Sequence, residues 1–365
     1  MDPHLTYPEA IVVGLIQGVT ELFPLSSLGH NVLIPALVGG SWAQDLNVSA
    51  PESPYLAFIV GLHVATAIAM IIYFWRDWNR IIRAFIASIG HVISPAPGTR
   101  RWAPQTTDQR LAWMIIWATI PVGIAGLLLE HAFRVYLSKP VLTAGFLTLN
   151  GVILLGGEAL RKRRADLDEQ QAATDHEVVT AGAGSGASGT AAAAATGPPG
   201  AAPAGAAQPG AAPAGVTGQR ARKERDASLA VQADRRLTGV GWWTSFILGA
   251  VQIFALCPGI SRDGIVMVSG MFRGLSRQDA ARFSFLLSAP VILAAGVLKV
   301  SDLLGPLGDG IRGQVLVGSI VSGVAAYLAL RFFVRYLSDS KRTLAPFAVY
   351  CLVVGIGSAI YLGIW

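Results

Sequence analysis

Between Ala10 and Gly39 only two side chains can ionise, Glu21 and His30, in a segment that is otherwise apolar or small. Charge is costly to bury, and ionisable groups kept in membrane-like segments usually serve function. Gln17 and Glu21 are four residues apart and share a helix face, and Pro24 ends that helix before Ser26, Ser27, Gly29 and His30. The pattern predicts polar groups lining one pocket. A second cluster reads Cys257-Pro258-Gly259-Ile260-Ser261-Arg262-Asp263-Gly264, where glycine-rich backbone and a hydroxyl precede a new apolar run. The N–H groups and dipole at such a helix start attract an anion, and an arginine can hold two phosphate oxygens in parallel. Phosphate is the expected guest. Purely structural roles compete at each position. Glu21 and His30 could satisfy each other and pin the segment, and Arg262 could pair with Asp263 or Glu21. His63, within a long apolar run, reads as a hydrogen-bonded packing residue.

The elements that must position these groups follow from composition. Of 365 residues, 53% are hydrophobic and 14% charged, against roughly 45–50% and about 25% in soluble domains. Too little charge is present to solvate a globule of this size, so a soluble enzyme is excluded. Four uncharged apolar runs, about 55–75, 111–129, 313–330 and 344–365, are long enough to cross a bilayer, which takes about 20 helical residues. Two more, 141–160 and 283–300, carry Glu158 and Lys299 near their ends, where the charge is expected to reach an interface. Six spans result. Trp75, Trp78, Trp242 and Trp243 fall at span ends, as aromatic belts do. Ser276, Arg277 and Asp279 read as the cap and first turn of a helix. Cys257 and Cys351 form no metal or disulfide pattern. Met1–Glu9 lacks a basic leader, so no secretory signal is expected.

Residues 181–215 are uncharged and 30 of these 35 are Ala, Gly or Pro, which cannot bury a core. The region 161–238 therefore reads as a disordered linker. Arg161–Arg164 and the Arg and Lys residues between 220 and 236 make it cytoplasmic by the positive-inside rule. The net charge of +6 arises in such loops, so it orients a membrane protein and implies no nucleic-acid partner. The six arginines between 76 and 110 then lie inside, as a loop, and the arginine-poor loops 130–140 and 301–312 lie outside.

Two apolar segments remain, 10–39 and 240–271, each broken by proline and glycine near its middle. Charge balance makes each a re-entrant helical hairpin, entering from opposite faces. At a constant offset of 235, Gly14 matches Gly249, Gln17 matches Gln252, Ser26 matches Ser261 and Gly29 matches Gly264. The expected fold is an all-α integral membrane protein with six transmembrane helices and two re-entrant hairpins in inverted-topology repeats, 1–160 and 239–365. The broken tips should meet near the bilayer midplane.

The run Gly14-Leu15-Ile16-Gln17-Gly18-Val19-Thr20-Glu21-Leu22-Phe23-Pro24-Leu25-Ser26-Ser27-Leu28-Gly29-His30, together with Pro258-Gly259-Ile260-Ser261-Arg262-Asp263-Gly264, resembles the two signatures of the bacterial undecaprenyl-diphosphate phosphatase, or bacitracin-resistance, family. The resemblance extends to Arg282-Phe283-Ser284-Phe285-Leu286-Leu287-Ser288 and omits the central linker. It implies hydrolysis of a polyprenyl diphosphate lipid to the monophosphate and inorganic phosphate, recycling the carrier for peptidoglycan and other wall polymers. It also implies a multi-pass enzyme of the bacterial plasma membrane whose site opens to the extracytoplasmic face, and a divalent cation, Mg2+ or Ca2+, which Glu21 could hold.

The family's motif positions fall on Glu21, Ser27, His30 and Arg262 as catalytic residues. Gln17, Ser26, Gly259, Ser261, Asp263 and Gly264 are expected to bind substrate. Asp263 departs from the family, which often has serine there, and Gln17 excludes a mechanism with two carboxylates at positions 17 and 21. Three attackers satisfy the residues: His30 itself, Ser27 with His30 as base, or water held at a metal on Glu21. His30 is favoured for proton transfer or attack. A second copy of the chain, as a homodimer, is a candidate partner. The rival reading is a polyprenyl-phosphate flippase or transporter on the same inverted-repeat site; a scaffold using the linker is the third.

Overall fold

The computed structural model describes residues 5–46, 54–93, 104–184, 232, 234–305, 308–339 and 341–364, and no strand occurs among them. In chain order the helices are α1 (Tyr7–Leu22), α2 (Ser27–Val38), α3 (Gly40–Asp45), α4 (Pro54–Tyr73), α5 (Trp75–Ile93), α6 (Thr107–Ala132) and α7 (Pro140–Gly184). They continue with α8 (Trp242–Ala250), α9 (Arg262–Phe272), α10 (Arg277–Leu304), α11 (Arg312–Ser338) and α12 (Ala345–Ile364). A π-helical turn, Phe133–Leu137, follows α6, and a 3-10 turn, Val251–Leu256, follows α8. Residues 1–160 and 233–365 form one compact unit, and 161–232 a second.

Six of these helices, α4, α6, α7, α10, α11 and α12, are long and apolar enough to cross a membrane, matching the six predicted runs. None buries more than 56% of its most apolar stretch inside the protein. The remainder carries exposed Leu127, Leu128, Ile320, Val324 and Val353, while Gln17, Asn150, Ser284 and Ser288 are buried. Polar groups inside and apolar groups outside is the arrangement that a lipid solvent favours.

Each predicted broken segment is a helix, a break and a second helix: α1 and α2 around residues 23–26, and α8 with its 3-10 turn and α9 around 257–261. Ser26 and Ser261 cap the second helix of each pair, accepting hydrogen bonds from the N–H of Gly29 (3.3 Å) and Gly264 (3.1 Å). Serine is a preferred cap because its hydroxyl satisfies an otherwise orphaned helix-start N–H. The matched glycines also act alike. A Cβ on Gly14 would stand 2.5 Å from the Gly318 carbonyl oxygen of α11, and one on Gly249 would collide with the backbone of Ala118 in α6. Small residues thus let α1 lie against α11 and α8 against α6 at backbone distance.

Three expectations are corrected. The connection 76–110 contains helix α5, because Ile82, Ile86, Ile89 and Ile93 recur at helical spacing and form an exposed apolar edge. Residues 161–184 and 234–238, read as linker, are helical, while 185–231 and 233 lie outside the described residues. Glu158 does not reach an interface: it is buried and accepts the N–H of Leu344 (3.3 Å) at the start of α12. The cap Ser276–Asp279 forms as expected, with the Ser276 hydroxyl accepting the N–H of Asp279 at 3.1 Å.

An ion-pair network around the buried Asp234 joins α5, α6, α10 and the helical segment 234–239. Arg80 meets Asp77 (3.1 Å), Asp108 (2.8 Å) and Asp234, and Arg282 meets Asp77 (2.8 Å) and Asp234 (2.7 Å). Burial works to lower the pKa of Arg80, and Asp234, Asp108 and Asp77 outweigh it, raising the guanidinium above its ordinary value. Asp234 is fully buried and shared by both arginines. Asp234→Ala should therefore leave two partly buried cations short of a partner and cost about 3 kcal/mol of stability; a thermal midpoint in detergent equal to wild type would contradict this role.

Candidate active site

The two helix breaks touch. Gly259 N–H donates to Ser26 Oγ (3.0 Å), and a Cβ on Gly29 would stand 2.8 Å from Gly259 Cα. Gly259 itself has φ +112°, a conformation that favours glycine, and packs against the backbone of Thr143 and Leu147 in α7. Asn150, also on α7, bridges both breaks: its Nδ2 donates to Pro24 O (2.9 Å) and its Oδ1 accepts Ser261 N–H (2.9 Å). Ser26 is the one non-glycine among the described residues with positive φ, at 66°. Such a conformation costs about 1–3 kcal/mol unless its surroundings hold it. Two N–H groups on its hydroxyl, and a hydrogen bond from His30 Nδ1 to its carbonyl (2.8 Å), do so.

Between the tips lies a cavity of about 120 Å³ lined by Glu21, Ser26, Ser27, His63, Gln252, Ser261 and Arg262, with apolar side chains such as Leu28, Val122 and Val291 making up the rest of its wall. Glu21 organises it. Its Oε1 accepts from Arg262, and its Oε2 accepts from the Ser27 hydroxyl and from Gln17 Nε2 (3.0 Å), with His63 Nε2 at 3.3 Å. Asn31 Nδ2 donates to Gln17 Oε1 (2.6 Å), which fixes the orientation of that amide. A carboxylate, a guanidinium and a serine hydroxyl held by the carboxylate thus share one cavity. That combination can bind a phosphate, accept a proton and present an oxygen nucleophile.

Not every expected residue faces this space. Glu21, Ser26, Ser27, Ser261 and Arg262 line it, whereas Gln17 stands behind Glu21. Gly259 and Gly264 shape the backbone contact: Gly264 packs against Pro24, where a Cβ would come within 3.2 Å. Asp263 points elsewhere, accepting from Ser284 (2.6 Å) and Ser288 (2.7 Å) on α10. His30 also turns away. Because its Nδ1 must donate to a carbonyl, its Nε2 is left to accept from the Tyr350 hydroxyl at 2.8 Å, so neither ring nitrogen offers a lone pair to the cavity. The pairing of Glu21 with His30 does not form. Glu21 meets His63 and Arg262 instead.

His63, read as a packing residue, is therefore at the site; its Nδ1 donates to Ile59 O (2.9 Å) and aims Nε2 at Glu21. Asn150 and Gln252 were also missed as site residues. The signal for all three is a polar side chain on an apolar helix, although periodicity does not say what each one faces. A divalent cation finds one carboxylate and one hydroxyl here, Glu21 and Ser27. No cluster of three or more His, Cys, Asp or Glu side chains suited to a metal occurs among the described residues. This donor set suits a hard ion that takes its other oxygens from water and from a phosphate ligand, and does not suit an all-protein cage.

The sequence pattern of the family described as bacitracin resistance protein BacA matches residues 10–223 and 214–357. The chain is 50% identical over 364 residues, the whole length of both, to a protein of Mycolicibacterium paratuberculosis named undecaprenyl-diphosphatase. It is 49% identical to undecaprenyl-diphosphatase 2 of Frankia alni, with 96% of each chain covered. It is 33% identical to the undecaprenyl-diphosphatase of Granulibacter bethesdensis, with 97% and 96% covered.

The bridge between the tips can be tested without a substrate. Asn150→Ala strands the Pro24 carbonyl and the Ser261 N–H in a dry interior and should cost about 2 kcal/mol. An unchanged unfolding midpoint in detergent would show that the tips do not depend on it.

Proposed function

The chain belongs to the bacitracin resistance protein BacA family, and from that membership and the Glu21–Ser27–Arg262 pocket we infer that it hydrolyses undecaprenyl diphosphate to undecaprenyl phosphate and inorganic phosphate. The activity returns the lipid carrier to the synthesis of peptidoglycan and other wall polymers. The observation that carries the reading is the convergence of an anion-holding arginine with a carboxylate already bonded to a serine hydroxyl. A flippase needs only groups that bind the diphosphate; the serine–carboxylate pair is what hydrolysis adds.

In the reaction proposed here, Arg262 takes oxygens of the terminal phosphoryl group in parallel hydrogen bonds, and the start of α9 adds its dipole. Ser27 Oγ attacks the terminal phosphorus as its proton passes to Glu21 Oε2, with which it already shares a hydrogen bond. The P–O bond to the bridging oxygen breaks, and the electron pair leaves with the lipid monophosphate. Water then attacks the phosphorus on Ser27, the P–Oγ bond breaks, Glu21 returns its proton to Oγ, and dihydrogen phosphate departs. Gln17 and His63 steady the carboxylate through both steps. A divalent cation, Mg2+ or Ca2+, held by Glu21 and Ser27 would neutralise charge on the diphosphate oxygens. His30 acts by holding the strained Ser26, beside the nucleophile, rather than by attack.

In this reading the two broken segments are re-entrant hairpins of inverted repeats, supported by the shared serine caps and by the close-approach glycines at one offset. The pocket opens to the extracytoplasmic face, and the arginine-rich region around 161–238 is cytoplasmic. Phosphate release by the detergent-purified protein from undecaprenyl diphosphate, with and without chelator, tests the proposal. Ser27→Ala and Arg262→Ala should each lower kcat by at least about 10³-fold, and chelator should suppress release. His30→Gln, which keeps hydrogen-bonding capacity, should stay within about tenfold of wild type. A folded His30→Gln that is as inactive as Ser27→Ala would return the nucleophile to the histidine.

A further inference from the structure

One buried amide at the site has no part in the reaction above. Gln252 lies on the 3-10 turn Val251–Leu256, is 1% exposed, and lines the same cavity as Glu21, Ser27 and Arg262. Neither its Nε2 nor its Oε1 has a hydrogen-bond partner among the described residues. Gln17, its counterpart at the offset of 235, is equally buried but engages both ends, donating to Glu21 and accepting from Asn31. An amide in the protein interior is normally matched, because leaving its donor and acceptor dry is costly. At Gln252 the match must come from what enters the cavity.

The chemistry of that occupant follows from the groups to be satisfied. Arg262 Nε is also without a hydrogen-bond partner, so two residues that line the cavity carry unmatched N–H donors and one of them an unmatched carbonyl acceptor. A phosphoryl group supplies acceptors and answers the N–H groups. It has no proton for the carbonyl oxygen, which needs an O–H donor, and at about 120 Å³ the cavity has room for water beside the phosphate. The winding of this segment as a 3-10 turn, where the matching stretch of α1 is α-helical, accompanies the different placement of the two amides.

We propose that Gln252 holds both reactants of the second half of the reaction: its Nε2–H donates to an oxygen of the phosphoryl group carried by Ser27, and its Oε1 accepts a hydrogen bond from the water that attacks that phosphorus. The proposal rests on the phosphatase reading and assigns a further residue to it. The water oxygen forms its bond to phosphorus as the P–Oγ bond breaks. The electron pair stays on Ser27 Oγ, which takes the proton from Glu21, and both water protons leave with the dihydrogen phosphate.

The test uses the full-length protein in detergent with undecaprenyl diphosphate, comparing wild type with Gln252→Leu and Gln252→Met, which keep bulk and remove both polar ends. Steady-state kcat should fall about 10²-fold, the scale of losing one preorganised donor. The first turnover should release one lipid monophosphate per enzyme, with phosphate found on Ser27 by mass spectrometry. The unfolding midpoint should equal or exceed that of wild type, because an unmatched buried amide is removed, whereas a merely structural glutamine would lower midpoint and activity together. Wild-type turnover in either folded variant overturns the proposal, as does slowed turnover with no phosphoserine. If wild-type protein itself releases no phosphate, the failure lies with the phosphatase reading and not with Gln252.

Discussion

The charge on Glu21 is the constraint around which the membrane unit is organised. A carboxylate whose side chain is 3% exposed cannot remain ionised among apolar helices without compensation, and its counter-ion, Arg262, lies 241 residues away. Meeting that need brings the two broken segments together. A buried ion pair is by itself a weak source of stability, since desolvation offsets most of the attraction. What makes this one tenable is that Oε2 also accepts hydrogen bonds from Ser27 and Gln17. The same hydrogen bonds aim the Ser27 hydroxyl and hold the guanidinium at the cavity wall, so the groups that offset the buried charge are also those that would preorganise the proposed chemistry.

The scaffold meets this demand with small residues and a few placed amides. Gly14, Gly18 and Gly249 let helices approach to backbone distance, which sets where α1 and α8 deliver their breaks. Asn150 then joins the breaks from a third helix, and the strained backbone of Ser26 is held by groups from both halves. In lipid the helices gain little from hydrophobic association, so close packing and internal hydrogen bonds carry the specificity that a soluble core obtains from burial. Away from the site, Arg80 and Arg282 share buried Asp234, linking the segment that re-enters the membrane unit to α5, α6 and α10.

The two broken segments share local features and differ in what they place on them. Serines at matched positions cap matched helices, and matched glycines serve close contacts. The matched glutamines diverge: one supports a carboxylate, the other faces the cavity. The proposed reaction, with its one anionic substrate, uses this asymmetry. One segment brings the carboxylate and hydroxyl to the cavity, and the other brings the arginine and the second amide.

Much was legible without coordinates where local physics decides the answer. The six spans follow from run length, the helix breaks from proline and glycine, the cap at Ser276 from its serine, and the pairing of Glu21 with Arg262 stood among the alternatives because a buried charge needs a partner. Direction was not legible. His30 and His63 are both lone histidines on apolar helices, and only packing turns the first to Tyr350 and the second to Glu21. Asp263 adjoins Arg262 in sequence yet bonds to serines of α10, because successive helical residues point about 100° apart. Sequence therefore determined which residues are too polar for their surroundings and where the helices break. The tertiary structure alone decided which of those groups share one cavity, because that depends on helix rotation and contacts between residues hundreds of positions apart.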